Sequence, residues 1–156
     1  MTKYSQRIKD WLYEENIEAE LLTFNRSVHS AEEAVAVSGQ PIERITKSIV
    51  MITQVGTLVI AMVPAKNRAS TKRVGKFLKL DERPRIASAK EILKHTGQQV
   101  GGNSPFNVPN AKILIDPKIL EEDWILTGGG DDRHLVKIST EELKRIIDYS
   151  EVRVRK

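Results

Sequence analysis

The sequence lacks cysteine, long apolar runs and a targeting segment. The absence of cysteine excludes a disulfide framework, thiolate metal sites and a cysteine nucleophile. No stretch approaches the length of a membrane span, and the first eleven residues carry Lys3, Arg7, Lys9 and Asp10 without an apolar run. These features predict a soluble, cytoplasmic protein with no membrane partner.

Several catalytic motifs are missing as well. The run Thr46-Lys47-Ser48 has the last residues of a phosphate-binding P-loop, but it lacks the glycine before the lysine and the Gly-x-x-x-x-Gly frame. There is no Gly-x-Ser-x-Gly elbow for a hydrolase serine. The three histidines, His29, His95 and His134, are widely separated and form no His-Glu-x-x-His pair. The sequence therefore predicts neither a metal site nor a cofactor.

The length and composition of the chain fit one domain spanning residues 1–156. A chain of 156 residues with 40% hydrophobic content buries one core, and 25 basic residues against 21 acidic ones permit a polyanionic partner. Basic residues cluster from Lys66 to Arg85. A helix is predicted here from Ser70 to Leu80, with Val74, Phe77 and Leu78 facing the core and Lys72, Lys76 and Lys79 sharing its outer face. That face either lies against phosphates or is an ordinary solvated surface.

Helix and strand signals alternate along the chain and predict an α/β fold with a mixed, strongly curved central sheet surrounded by helices. Ser30-Ala31-Glu32-Glu33 and Ser88-Ala89-Lys90-Glu91 are capping boxes that begin helices. Ser48 to Thr53 and Thr57 to Val63 form the clearest hairpin, with arms that are apolar on both faces. This hairpin is therefore predicted to lie centrally in the sheet, covered on both sides.

Two features point to chemistry. Lys47 places an ammonium where a strand enters the core, and such a cation needs either a ligand oxygen or a solvated, snorkelling conformation. Gly101-Gly102-Asn103-Ser104-Pro105-Phe106 can hold backbone amides towards a cavity, where they would stabilise an oxyanion. The same loop composition is also expected of a plain connection between a helix and a strand.

Together these residues resemble the YbaK family of prolyl-tRNA editing domains. The likeness extends in order from about Phe24 to Ile147. It comprises the run from Ile45 to Val50, the strand from Leu58 to Pro64, the Gly101-x-x-x-Pro105 loop with Phe106, Ile115-Asp116, and Gly128-Gly129. The resemblance implies a free-standing deacylase that hydrolyses a mischarged amino acid, alanine or cysteine on tRNA(Pro), from an aminoacyl-tRNA. Prolyl-tRNA synthetase is the implied protein partner.

The resemblance also implies roles for individual residues. Lys47 is the family's required polar residue and anchors the substrate, while the loop containing Gly101 and Gly102 contributes amides beside the ester. The implied substrate contacts are Ser104, Pro105, Phe106, Gly128, Gly129, His134 and His29. The basic helix face, and not the resemblance, suggests Lys72, Arg73 and Lys76 as tRNA contacts. Phe106 and Met51 are either pocket walls or core residues, and His134 either touches substrate or lies on the surface. The alternative function is a non-catalytic module of the same fold that binds tRNA or a synthetase.

Overall fold

A computed structural model describes all 156 residues and contains five α-helices, eight strands and two short 3-10 helices. The helices are α1 (Lys3–Glu14), α2 (Ala31–Ser38), α3 (Thr71–Phe77), α4 (Ala89–Thr96) and α5 (Thr140–Ile146). The strands are β1 (Ala19–Thr23), β2 (Thr46–Ile52), β3 (Leu58–Pro64), β4 (Arg85–Ile86), β5 (Lys112–Ile115), β6 (Trp124–Gly128), β7 (His134–Ser139) and β8 (Tyr149–Glu151). No helix has the length and apolar character needed to cross a membrane.

The strands form two sheets. One has the order β4-β2-β3-β5-β8 and is mixed, because β3, β5 and β8 are parallel while β2 is antiparallel to both β3 and β4. The other is an antiparallel sheet with the order β1-β7-β6. A single parallel bridge between Ile45 and Leu126 joins them. The predicted α/β class with a mixed sheet is confirmed, although the strands form two sheets in place of one central sheet.

The hairpin of β2 and β3 lies at the centre, as its apolar arms predicted. Side chains alternate across the strands. On one face, residues such as Val50, Ile60 and Met62 join the largest core cluster, which also includes Ile8 and Leu12 of α1. On the other face, Met51 and Val59 pack with Val74 of α3. The central strands are therefore covered on both sides.

Local sequence signals fix the helix ends. Both predicted capping boxes form, with the Ser30 and Ser88 hydroxyls accepting from the amides of Glu33 and Glu91. The helix predicted from Ser70 to Leu80 is shorter, because it ends at Phe77 and Lys79 adopts a positive φ of 56°. As a result Phe77 is exposed rather than in the core, and Lys79 no longer shares a helical face with Lys72 and Lys76.

A buried carboxylate holds the C-terminal segment in place. Asp116, at the end of β5, accepts hydrogen bonds from the backbone amides of Val154 and Arg155, and from the Arg155 guanidinium at 2.5 Å. Burial alone would raise the pKa of Asp116, but these donors and the Lys118 amide together hold it below the ordinary value. The last strand, β8, ends at Glu151, and beyond it Arg155 pairs with Ala69 in an isolated bridge.

Candidate active site

A cavity of about 440 Å³ lies where the two sheets diverge from their single bridge. Its wall contains residues from the segment before α2, from α2 itself, from β2, and from the chain around β4 and α4. Twelve of its twenty lining residues are hydrophobic, and none is a carboxylate. Four of the residues singled out from the sequence line it: Lys47, Gly101, Gly128 and His29.

The outer edge of β2 forms part of the cavity wall. Its preceding residue Ile45 bridges to β6, and Met51 and Ile52 pair with β4. Between these points, Lys47, Ser48 and Ile49 pair on one side only, with β3, and all three line the cavity. The gap between the two outer partners of β2 is therefore what creates the space for a ligand.

Lys47 is half-buried at this edge, and its ammonium makes no hydrogen bond or ion pair within the protein. Desolvation, followed by the nearby Arg68 guanidinium, lowers the pKa of the Lys47 amine from its ordinary value. Because a desolvated cation without a counter-charge is unfavourable, an anionic ligand at this position would be stabilised.

The glycine loop contributes two backbone donors. The amides of Gly101 and Asn103 donate to no group in the protein, and both residues line the cavity. The amide of Gly102, which was predicted to act with Gly101, instead donates to the Gln99 carbonyl in a tight turn at 3.0 Å. Gly102 has a packing role, because a Cβ there would overlap the backbone of Asp131. Of the predicted pair, only Gly101 has a free amide, and the other free amide in this loop belongs to Asn103.

His29 lies in the cavity wall directly against the glycine loop. Its imidazole ring packs on Gly101, where φ is +87°, and leaves no room for a side chain at that position. The ring is exposed and hydrogen-bonds to no serine hydroxyl. His29 therefore packs against the glycine loop and does not form a serine–histidine pair that could act as a nucleophile.

The rest of the predicted loop contacts lie behind the cavity. Ser104 is fully buried, where its amide donates to Gln98 Oε1 at 2.9 Å and its hydroxyl bonds the same oxygen at 2.8 Å. Phe106 is also fully buried and packs against Trp11, with ring centroids 5.8 Å apart. Neither these two residues nor Pro105 lines the cavity. These residues support the loop from the core side, and Met51 is likewise a core residue of β2. Ser104, Pro105 and Phe106, which were predicted to contact substrate, therefore do not face the cavity.

His134 lies neither in the cavity nor on the surface. Its Nδ1 is 2.5 Å from Asp131 Oδ1, and the other oxygen of Asp131 accepts from the Thr2 hydroxyl, the N-cap of α1. Gly129, which also does not line the cavity, allows His134 to approach, because a Cβ there would lie 2.7 Å from His134 Cβ. Asp131, one of the two acidic residues after the late glycines, holds the histidine in the interior, so both sequence-based alternatives for it are corrected.

Sequence reasoning missed other lining residues, chiefly Ser48, Asn103, Ile86 and Val100. Ser48 and Asn103 are adjacent in sequence to Lys47 and Gly102, so the motifs around them could have identified them as site residues. Ile86 and Val100 are exposed by 54% and 46% at the cavity mouth, and no local pattern marked them. Lys72, Arg73 and Lys76 are exposed on α3 and lie outside this cavity.

The profile of the aminoacyl-tRNA editing domain matches residues 25–146, which is most of the chain. The chain belongs to the aminoacyl-tRNA editing domain family. The predicted family resemblance is thereby confirmed. Curated relatives of this editing domain are proline–tRNA ligases from Solidesulfovibrio magneticus, 23% identical over 80% of the chain, and from Thermosipho africanus, 24% identical over 90%. The chain spans only 22% and 25% of the length of these two ligases.

Solved structures share the fold of this editing domain. One, described as a candidate trans-editing enzyme for prolyl-tRNA synthetase, superposes with a TM-score of 0.89 at 21% identity, covering 100% of this chain and 99% of that one. A hypothetical protein superposes with a TM-score of 0.87 at 22% identity, covering 96% and 99%. At these identities the likeness establishes the fold.

Proposed function

We propose that this editing domain is a trans-acting aminoacyl-tRNA deacylase, which removes a mischarged small amino acid from tRNA in the cytoplasm. Alanine or cysteine on tRNA(Pro) is the expected substrate, and prolyl-tRNA synthetase is the expected partner. One observation carries the proposal: the unpartnered ammonium of Lys47 and the two unpaired amides of Gly101 and Asn103 line the same cavity.

The proposed reaction needs no protein nucleophile. Water attacks the ester carbonyl carbon, the carbonyl oxygen becomes an oxyanion, and the bond to the ribose oxygen breaks as that oxygen takes a proton. The amides of Gly101 and Asn103 donate to the oxyanion. A preorganised donor of this kind contributes about 3 kcal/mol to the transition state, or roughly a hundredfold in rate. An aminoacyl ester is already activated, so these donors, water and the substrate's ribose hydroxyl suffice.

Lys47 anchors the nucleic acid in this proposal. Its ammonium lies at the strand edge, the Arg68 guanidinium helps to lower its pKa, and no carboxylate lines the cavity. A phosphate or ribose oxygen of the terminal nucleotide would supply the missing partner. The positive charge of Arg68 would add to the attraction of a polyanion.

Small size would select the amino acid. Ala31, Ala34 and Ala65 line the cavity together with larger apolar residues such as Ile45 and Ile92. A synthetase pocket cannot strongly reject an amino acid smaller than its own, so a second and narrower site is needed to hydrolyse the error. An acyl group too large for this cavity would be excluded.

Deacylation of a panel of mischarged tRNAs tests this function. Purified protein is incubated with alanyl-, cysteinyl- and seryl-tRNA(Pro), and with prolyl-tRNA(Pro) as the correct pairing. The expected result is rapid loss of at least one small mischarged ester and survival of the prolyl ester. Loss of every ester at the buffer rate, with protein that gives a cooperative thermal transition, would contradict the proposal.

A non-catalytic module that holds tRNA is the alternative, favoured by the basic residues exposed on α3. It predicts salt-sensitive tRNA binding without ester cleavage. Binding measured at two salt concentrations beside the deacylation panel separates the two functions.

A further inference from the structure

Two buried polar side chains in the cavity wall have no hydrogen-bond partner. Asn103 is 8% exposed and Ser48 is 6% exposed, and both line the cavity. The Asn103 Nδ2 and the Ser48 Oγ are fully enclosed and pair with nothing in the protein. Buried polar groups are nearly always hydrogen-bonded, and an unsatisfied one is costly. Two such groups on an otherwise largely apolar wall indicate a site that a ligand completes.

Ser48 faces the core side of the cavity wall. Lys47 and Ser48 are consecutive on β2, so their side chains point to opposite faces. Ser48 shares its face with Val50, which belongs to the largest core cluster together with the lining residues Ala87 and Ile92. The nucleotide held by Lys47 therefore lies at the mouth, and the group beside Ser48 is the part of the substrate that enters furthest.

In the proposed reaction, Asn103 would contact the substrate through both its backbone amide and its side chain. Its backbone amide is one of the two unpaired donors, and its side chain extends from the same residue. An ester carbonyl held on that amide places its acyl substituents beside the Asn103 side chain. Whichever way the side-chain amide of Asn103 is oriented, it presents one donor and one acceptor. A hydroxyl can pair with either end, whereas a methyl group pairs with neither.

Building on the deacylase function proposed above, we propose that Asn103 and Ser48 form a polar subsite that selects an acyl group carrying a small side-chain hydroxyl. Serine is the amino acid of that chemistry which fits a narrow cavity. The subsite would favour the seryl ester over the alanyl ester, since a site that hydrogen-bonds a substrate hydroxyl discriminates strongly against the analogue that lacks it. On this proposal serine replaces alanine and cysteine as the preferred small amino acid.

The test compares seryl and alanyl esters on the same tRNA. The ratio of their kcat/KM values is measured for the wild type and for the Asn103→Leu and Ser48→Ala variants. We expect the wild type to favour the seryl ester at least about tenfold, and each variant to reduce that ratio at least about fivefold, mainly by slowing seryl hydrolysis. Neither substitution removes an intramolecular hydrogen bond, so the thermal midpoint of each variant should equal or exceed that of the wild type.

Thr140→Val is the matched control. The Thr140 hydroxyl is also buried, but it donates to the Glu122 carbonyl at 2.7 Å and lies outside the cavity. This variant should lower the thermal midpoint and leave the selectivity ratio unchanged. Equal rates for the two esters in the wild type, or a ratio that both cavity variants leave unaltered, would overturn the inference alone. Hydrolysis of neither ester would overturn the deacylase function, and this inference with it.

Discussion

The imidazole ring of His29 occupies the space that a side chain at Gly101 would need. The relationship is reciprocal, because the ring can pack there only while residue 101 has no Cβ. Gly101 also has a φ of +87°, which an L residue with a side chain adopts only under strain. The free amide of Gly101 therefore depends both on its own backbone and on a contact with a distant segment of the chain.

Gly101→Ala should reduce deacylation strongly. The new methyl group would displace either the His29 ring or the loop, and moving one oxyanion donor out of place costs roughly a hundredfold in kcat. His29→Ala in the same chain should restore part of the activity, because it removes the overlap while the unfavourable φ persists. Single-turnover rates of the two single variants and the double variant measure this coupling. Purely additive effects would contradict a direct contact role for His29.

Lys47→Ala should lower kcat/KM by about ten- to a hundredfold, as expected when a charge-assisted hydrogen bond to substrate is removed. The pKa of Lys47 is lowered on folding, so its charge is unfavourable in the folded state and its removal should not reduce stability at neutral pH. Deacylation kinetics with a urea unfolding curve check both parts. A variant with full activity would refute the anchoring role, and a marked loss of stability would show that Lys47 is structural.

Replacing Lys72, Arg73 and Lys76 together by Gln should weaken tRNA binding and reduce its salt dependence. For every phosphate that is no longer neutralised, the slope of log K against log salt concentration should become shallower by about 1. The measurement is tRNA affinity across a range of salt concentrations. Lys144→Gln on α5 is the control, since it removes one exposed positive charge from another helix. An unchanged slope in the triple variant would show that this helix face is simply solvated.

Asp131→Asn should destabilise the protein by about 1–3 kcal/mol at neutral pH, because a buried carboxylate bonded to His134 and Thr2 loses its charge. Burial alone would raise the pKa of Asp131, but the hydrogen bonds from Thr2, His134 and the Arg133 amide hold it below the ordinary value. A depressed folded-state pKa gives stability that is present above the unfolded pKa and is lost as pH falls through the folded one.

Urea unfolding of wild type and Asp131→Asn at neutral pH and at about pH 3 measures this linkage. The difference between the two proteins should narrow in acid, because below its ordinary pKa Asp131 takes up a proton in the unfolded wild-type chain and its charge then stabilises the folded state less. A difference that stays constant with pH would mean that packing, and not the charge, accounts for the effect.

Phe106→Ala should destabilise the fold by about 3–5 kcal/mol, which is the usual cost of removing a buried aromatic side chain. Phe106 packs on Trp11 and does not line the cavity. The folded fraction of the variant should therefore keep the wild-type order of preference among aminoacyl esters. Phe106→Leu, with a smaller loss of stability, allows that order to be measured. A reversed order of preference would restore Phe106 as a pocket residue.

The sequence predicted the parts of this structure that local chemistry controls. The capping boxes at Ser30 and Ser88 and the central hairpin follow from spacing and apolar pattern, and they formed where expected. The family resemblance implied that Lys47 and Gly101 are site residues, and both line the cavity.

What the sequence could not show depended on contacts between distant segments. Gly102 looked equivalent to Gly101, but its amide is taken by Gln99 within the turn. His134 was predicted to be a surface or substrate residue, but it is buried and hydrogen-bonded to Asp131, which also accepts from the Thr2 hydroxyl. The unpaired side chains of Asn103 and Ser48 are a similar case, because a missing hydrogen bond has no signature in one-dimensional sequence.

The cavity forms where two sheets diverge, and that arrangement has a consequence for how the protein acquires activity. Val28 and Leu135 face the same space although they come from opposite ends of the sequence. Contacts between such distant segments form late, because the loop-closure entropy must be overcome before they contribute. The β2–β3 hairpin alone would therefore have no site. Recovery of ester hydrolysis during refolding would report that the segments around Val28 and Leu135 have come together, which a signal from local secondary structure does not report.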